Sequence, residues 1–404
     1  MTRRRVRAAL GWFAGVASLA VTACGGATNW WMFQGDLGHS GRNPRLNSRQ
    51  PHTLRWNVPL VPGPPQPTPQ LTQPVFGNAK ILIASGDGKL FALWPTDGST
   101  LWTFTAPAGT EFYGSAAAVD DRVYAATYGP SPASSPQVYA LDESTGAVVW
   151  QTPLPGGTAA SIAVAGGLVF VHAEQQHRLY ALNAGTGGIV WSMPLSPGTL
   201  ATSSSAPAVA FGRVFVGSDD GLFAFNFATG AQMWKFPLAS PSFGSSPVVY
   251  AAPTVPLVYI NTSGLPGISS MLHAVNAATG AQVWSYTAVT GVGGNTSAVA
   301  DGRLFIFDYL TVKALDAVTG APLWAYTPPP VPGAGLPMLA PAVGDRLVYY
   351  SDRQMIRGLD MSTGKLVWDA PIPGNSDPNA AGNSPGIEFE LLVVPNKGHV
   401  HAFR

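Results

Sequence analysis

Charge is scarce in this chain. Aspartate, glutamate, lysine and arginine make up 11% of its 404 residues, against 46% hydrophobic. So little charge beside so much apolar material excludes an intrinsically disordered chain. The formal net charge is +1 and no basic stripe stands out, which argues against a nucleic-acid partner. Cysteine is nearly absent as well: the single Cys24 excludes an internal disulfide. Capped, helix-period stretches are missing beyond the N-terminal region, and the 46 glycines and 37 prolines disfavour them.

The lone cysteine has a context. "MTRRRVR" is a basic opening, and "AALGWFAGVASLAV" is an apolar run too short for a comfortable membrane span. "VTAC" then sets small residues directly before Cys24, which resembles a bacterial lipoprotein signal cleaved ahead of an acylated cysteine. An ordinary secretory signal with an incidental cysteine, or a short anchor helix, are the alternatives. Arg3 and Arg4 permit a twin-arginine export signal, although Val6 and Arg7 fit it poorly. The resulting division is a signal peptide over 1–23, a tether and lead-in over 24–52, and one folded domain over 53–404. Cys24 would hold the protein at the cell envelope, either on the periplasmic face of an outer membrane or outside the plasma membrane.

One phrase recurs along the rest. "VYALDESTGAVVW" returns as "LYALNAGTGGIVW", "LFAFNFATGAQMW" and "LDAVTGAPLW". Trp56, Trp102, Trp150, Trp191, Trp234, Trp284, Trp324 and Trp368 follow one another at intervals of 40 to 50 residues. All but Trp56 come four residues after a turn glycine, namely Gly98, Gly146, Gly187, Gly230, Gly280, Gly320 and Gly364. Each period divides into four short alternating strands; in the fourth copy they are "APAVA", "RVFVGS", "GLFAFN" and "AQMW". The turn glycine suits a hairpin that needs positive φ. A tiny residue recurs in the third strand (Ala92, Ala140, Ala181, Ala224, Ala274, Ala314, Gly358, Ala402), leaving room for the tryptophan of a neighbouring unit. Four-stranded units of this length, each hiding a face against the next, predict an all-β β-propeller. The last unit stops after three strands, whereas "TLRWNVPL" around Trp56 is a fourth strand without a unit. Strands from both termini therefore complete an eighth blade, which removes the open edge.

These residues resemble the pyrroloquinoline-quinone-type propeller repeat over roughly residues 53–404. Ala140, Asp142, Thr145, Gly146 and Trp150 match its tryptophan-docking phrase, as do Ala314, Asp316, Thr319, Gly320 and Trp324. Copy one departs, with Trp94 where the aspartate belongs. "WWMFQGDLGHSGRNP" is similar to the lead-in of such proteins. With the lipoprotein signal and eight blades, the chain is most similar to the BamB family of outer-membrane assembly lipoproteins. That resemblance implies a non-enzymatic scaffold without a cofactor, whose partner is an envelope protein, in that family the barrel-assembly machinery. The family's partner-binding residues have no counterparts here: "LATSSSAP" carries no arginine, and "SFGSSPVV" places Ser242 and Gly244 where aspartates stand. The competing class is a quinone-dependent oxidoreductase or a quinone-binding propeller, whose members are longer and usually carry adjacent cysteines and acidic calcium ligands.

Other signals for chemistry have structural readings. "GNSPG" satisfies the serine-hydrolase pattern, but the repeat register puts Ser384 at the start of a first strand, not on a strand-to-helix elbow. His399 and His401 lie two apart on a strand and could share a metal, yet His401 fills a slot held by Phe91, Tyr139, Tyr180 and Phe223 elsewhere. Asp219 and Asp220 read as turn residues, because calcium requires six or more oxygens. No catalytic, cofactor or metal residue is expected.

Topology separates the connections. Those after strands one and three are short and uniform and emerge on one face; those after strands two and four emerge on the other. The second group holds "YGPSPASSPQ", "NTSGLPGISS", "YTPPPVPGAGLPMLAP" and "PIPGNSDPNAAGNSPG". Irregular loops on a rigid scaffold are where partners bind. The best candidate is the third of these, with Tyr326, Leu336 and Met338 as anchors.

Overall fold

Eight four-stranded antiparallel sheets form the molecule, each with its strands in sequence order except the last. The computed structural model describes residues 32–43, 52–61, 69–129, 134–195, 204–240, 242, 245–262, 270–288, 295–329, 340–352, 354–373, 384–396 and 398–404. Blade 1 is Val75–Gly77, Lys80–Ser85, Lys89–Leu93 and Thr100–Thr105, and blades 2 to 7 follow in chain order with strands between 117 and 153, 163 and 194, 208 and 237, 248 and 287, 298 and 326, and 342 and 371. Blade 8 takes Gly386–Glu388, Leu391–Asn396 and His399–Phe403 from the C-terminus and its outer strand, Leu54–Pro59, from the N-terminal side. The expected eight-bladed propeller, closed by both ends of the chain, is the observed one. Among the described residues the helix content is a single 3-10 turn, Glu174–Gln176.

The recurring phrase is the joint between blades. The Trp102 indole lies over Gly146 of the next blade so closely that a Cβ there would sit 2.7 Å from the ring. Its Nε1 donates to the Glu143 carbonyl at 2.9 Å. Trp150 repeats this on Gly187 and the Ala184 carbonyl, and Trp324 on Gly364 and the Met361 carbonyl. The turn glycines hold φ between +71° and +76°, which only glycine adopts without strain. Beside them, the Asp142 carboxylate accepts from the Thr145 amide and hydroxyl at 2.9 and 2.8 Å, closing the turn.

The third-strand alanines have a different role from the one expected. Ala140 is the cross-strand partner of Trp150 in its own blade, and the pairing recurs from Ala92 with Trp102 to Ala402 with Trp56. A β-bulge follows each pair, turning the indole off its own sheet. The neighbour's glycine, not its alanine, receives the ring, because only the positive-φ turn brings bare backbone close enough.

Between blades the core is apolar and repetitive. Phe170, Phe215, Tyr259 and Phe305 are fully buried against Trp191, Trp234, Trp284 and Trp324, with ring centroids 5.7 to 5.9 Å apart. Hydroxyls stitch the starts of the inner strands: Ser161, Ser246, Thr296 and Ser384 each accept a backbone amide from the preceding blade.

Candidate functional site

Residues 32–43 lie across the propeller axis. Carbonyls of Leu37, Gly38, Ser40 and Gly41 accept the amides of Val209, Val249, Val299 and Val343 at 2.6 to 2.8 Å. These donors belong to the inner strands of blades 4, 5, 6 and 7, whose free edges would otherwise face one another around the axis. Blade 1 is tied through Gln73, whose Oε1 accepts the Gln34 amide at 2.9 Å while its Nε2 donates to the Pro385 carbonyl at 2.9 Å. Asn43 Nδ2 reaches blade 8, donating to the Ile387 carbonyl and the Glu388 carboxylate at 2.8 and 2.9 Å. Met32 is buried among Ala117, Ile162 and Val164 of blades 2 and 3. Much of what reads in sequence as a tether is thus a plug bonded to the ring.

Local chemistry explains why this stretch can enter. Gly41 has φ +69°, and a Cβ there would lie 2.6 Å from Gln34 Oε1 and 2.7 Å from the Ala298 Cβ. Asp36 folds the segment back by accepting the Gly38 and Ser40 amides at 2.9 and 3.1 Å. His39 is fully buried, and its Nδ1 donates to the Pro247 carbonyl at 2.9 Å. Burial pushes His39 down to about 4, so the ring is neutral there. Arg42 pairs with Asp301 in a first-to-second-strand turn at 2.8 Å, which puts this end of the plug on the face of the short turns. The glycines at 35, 38 and 41 were the signal in the sequence; their meaning required the inner strands.

The opposite face carries buried polar groups at strand ends. Glu174 accepts the Ala159 amide at 3.0 Å, and burial pushes it up to about 7. His172 is buried, with Nδ1 donating to the Ser205 carbonyl at 3.1 Å, and burial lowers it to about 4. Lys313 bridges Asp308 at 2.6 Å and the Tyr286 hydroxyl at 2.9 Å, and the buried Arg357 pairs with Asp352. His172 ties blade 3 to the start of blade 4 and Lys313 ties blade 6 to Tyr286 of blade 5, whereas Glu174 holds the connection into its own blade and the Arg357–Asp352 pair lies within blade 7.

The sequence candidates separate. Ser384 is buried, and its Oγ accepts the Ala340 amide at 3.0 Å, so it is a stitch between blades. His401 is fully buried with neither ring nitrogen bonded, whereas His399 donates from Nδ1 to Asn57 Oδ1 at 3.1 Å. Asp220 pairs with Lys235 at 2.6 Å. No group of three or more metal-ligating side chains converges among the described residues. Tyr326 is half-buried against Phe307, Val312, Tyr350 and Leu359, at the root of the connection it was expected to anchor. Cys24, Leu336, Met338 and Gly244 lie outside the described residues.

Known proteins resemble the chain at three levels. Residues 86–269 and 269–404 match the family described as outer membrane protein assembly factor BamB. A curated BamB from Moranella endobia is 27% identical over 159 residues, 37% of this chain and 39% of that protein. Tetrathionate hydrolase from Acidithiobacillus ferrooxidans is 30% identical over 112 residues, 26% of this chain and 21% of that enzyme. The match therefore spans well under half the length of either curated relative. Among solved structures, BamB from Moraxella catarrhalis superposes with a TM-score of 0.64 at 18% identity, covering 87% of this chain and 97% of that one. A quinohemoprotein alcohol dehydrogenase from Pseudomonas putida HK5 gives 0.71 at 11% identity, covering 94% and 80%. At such identities these two structures share the fold and nothing more specific.

Proposed function

The chain belongs to the family of the outer membrane protein assembly factor BamB, and from that membership we propose that it is a non-enzymatic scaffold of the cell envelope. It is held to a membrane by acylation of Cys24 and presents its long-connection face to a partner protein. The observation that carries the reading is the family match over both halves of the ring, residues 86–269 and 269–404. Topology supports it. The Arg42 end of the plug reaches the short-turn face, and the irregular connections on the other face offer a surface to a partner. By analogy with the family, the partner class is the barrel-assembly machinery.

A pull-down after crosslinking in intact cells tests the proposal. The protein should capture an envelope protein, and shortening residues 326–341 should abolish the capture. Cys24→Ala should move the protein from the membrane to the soluble fraction. Continued membrane association of that variant would reveal an uncleaved anchor helix.

A second reading draws on the shared fold of the quinohemoprotein dehydrogenases: a quinone held on the axis and dye-linked oxidation of small alcohols or sugars. Reconstitution with quinone and calcium separates the two. The scaffold reading expects neither saturable quinone binding nor turnover, and observing both would replace it.

A further inference from the structure

Blade 1 breaks the turn pattern that the other full blades keep. At the position of Trp94 the others place Asp142, Asn183, Asn226, Asn276, Asp316 and Asp360, each accepting the amide of its turn threonine through Oδ1. Trp94 cannot accept that bond. Asp97, at the position of the turn threonine, accepts the Ser99 amide at 2.9 Å, the counterpart of the bond from the Ala147 amide to Thr145, so the lost cap is not replaced. The exchange does not bury the ring, since Trp94 is 46% exposed. An indole in solvent, at the cost of a turn cap, is a surface feature with a use.

Its surroundings share the character. The Trp56 indole of blade 8 holds the turn rigid by donating to the Pro95 carbonyl at 2.9 Å and packing on Gly98. Across this seam stand Phe389, 40% exposed, and Leu54, 43% exposed. The seam holds an open recess of about 370 Å³ lined by Arg55, Pro95, Thr96, Phe389, Leu391 and Arg404. Arg404 pairs with Glu390, and Arg55 has no ion-pair partner among the described residues. The turns that carry Trp94 and Phe389 emerge on the short-turn face, the face that receives Arg42 of the plug.

We propose that this seam between blades 8 and 1 seats on the headgroup layer of a phosphatidylethanolamine-containing bilayer. Trp94 and Phe389 lie at headgroup depth, Arg55 and Arg404 meet lipid phosphates, and Asp97 and Glu390 meet the ammonium groups. Amphipathic aromatic rings beside arginines are the side chains that settle at such an interface. The mixed signs around the recess match a zwitterionic headgroup better than a uniformly anionic one. Chain length supplies the second argument, which rests on the anchoring proposed above. Met32 is fixed against the inner strands, and Cys24 precedes it by eight residues, a reach of at most about 28 Å. A tether that short keeps the ring within reach of the headgroups, and the side chains of the seam decide which surface meets them.

The test uses the full chain in vesicles of phosphatidylethanolamine and phosphatidylglycerol. A nitroxide is attached at Thr96→Cys in the seam, or at Ala108→Cys in a connection of the opposite face. On vesicles the label at 96 should gain oxygen accessibility and lose access to a water-soluble nickel complex several-fold, while the label at 108 stays aqueous. In the unanchored Cys24→Ala chain, Trp94→Ser with Phe389→Ser should cut vesicle co-sedimentation at least about tenfold. The melting temperature should fall by no more than a few degrees, since both rings are partly exposed and Phe389 gives up one edge contact with Phe76. A membrane-bound chain whose label at 96 is as aqueous as that at 108 overturns the proposal. So does protection of 96 that appears only on adding an envelope protein, which would make the seam a protein interface. Failure of the anchoring itself reads differently: the wild-type chain and Cys24→Ala would fractionate alike, and the co-sedimentation arm would still decide the seam.

Discussion

The Trp368 indole donates its Nε1 proton to the His52 carbonyl at 3.0 Å, joining blade 7 to the segment that leads into the outer strand of blade 8. This is the eighth of the inter-blade indole contacts and the one that spans the ends of the chain. Thr53 and Arg404 reinforce it by exchanging backbone bonds at 2.8 and 3.0 Å, and Leu60 donates to the Gly398 carbonyl at 2.7 Å. Removing residues 397–404 therefore strips a central strand, not a frayed end. The truncated protein should lose cooperative unfolding of the whole ring, seen as a large fall in melting temperature by circular dichroism. An unchanged melt would mean the ring holds without its closing blade.

Each docking glycine should be intolerant of a side chain. Gly146→Ala would put a Cβ 2.7 Å from the Trp102 ring at a residue with φ +73°. The cost should be at least about 1–2 kcal/mol from the backbone alone. Trp102→Ala, emptying the joint from the other side, should cost about 3–5 kcal/mol. Because the two partners share one contact, the double variant should lose less than the sum in urea titration.

The plug should be separable from the blades. Gly41→Val would collide with Gln34 and Ala298, and its φ of +69° disfavours a branched residue. The expected result is release of residues 32–43, with the amides of Val209, Val249, Val299 and Val343 losing hydrogen-exchange protection while the blade ladders keep theirs. Retained protection at those four amides would show that the inner strands are shielded by something else.

Acid should weaken the fold through its buried histidines. Burial lowers His39, His172 and His401 from the ordinary 6.5 to about 4. Between those values the unfolded chain binds more protons than the folded one, so stability falls as pH drops from about 6.5 towards 4. Glu174 works in the opposite sense: its pKa is raised to about 7, so its contribution is present at low pH and lost as pH rises through 7. His401→Phe, which copies the aromatic of Phe91 and Phe223, should stabilise the protein and flatten the acid limb of urea midpoint against pH. An unaltered limb would assign the acid loss to other groups.

Spacing and turn chemistry alone determined the blade count, the glycine turns, the docking tryptophans and the closure by both termini. Those features repeat locally, and a period of 40 to 50 residues is visible in one dimension. The partner of each indole was only half legible. The alanine that looked like a neighbour's socket is paired within the same blade, because a bulge decides which way the ring turns. The plug's glycines were visible but its place was not: Asn43 meets Ile387, His39 meets Pro247 and Gln34 meets Gln73, and no local pattern connects segments so far apart. Only closing the ring brings eight inner strands around one axis and leaves their unpaired amides to be satisfied there. The same closure buries His401 without a partner and sets Pro95 and Thr96 around one recess with Phe389, residues almost three hundred positions apart. Periodicity decides the blades, and ring closure decides what lies on the axis and at the seam.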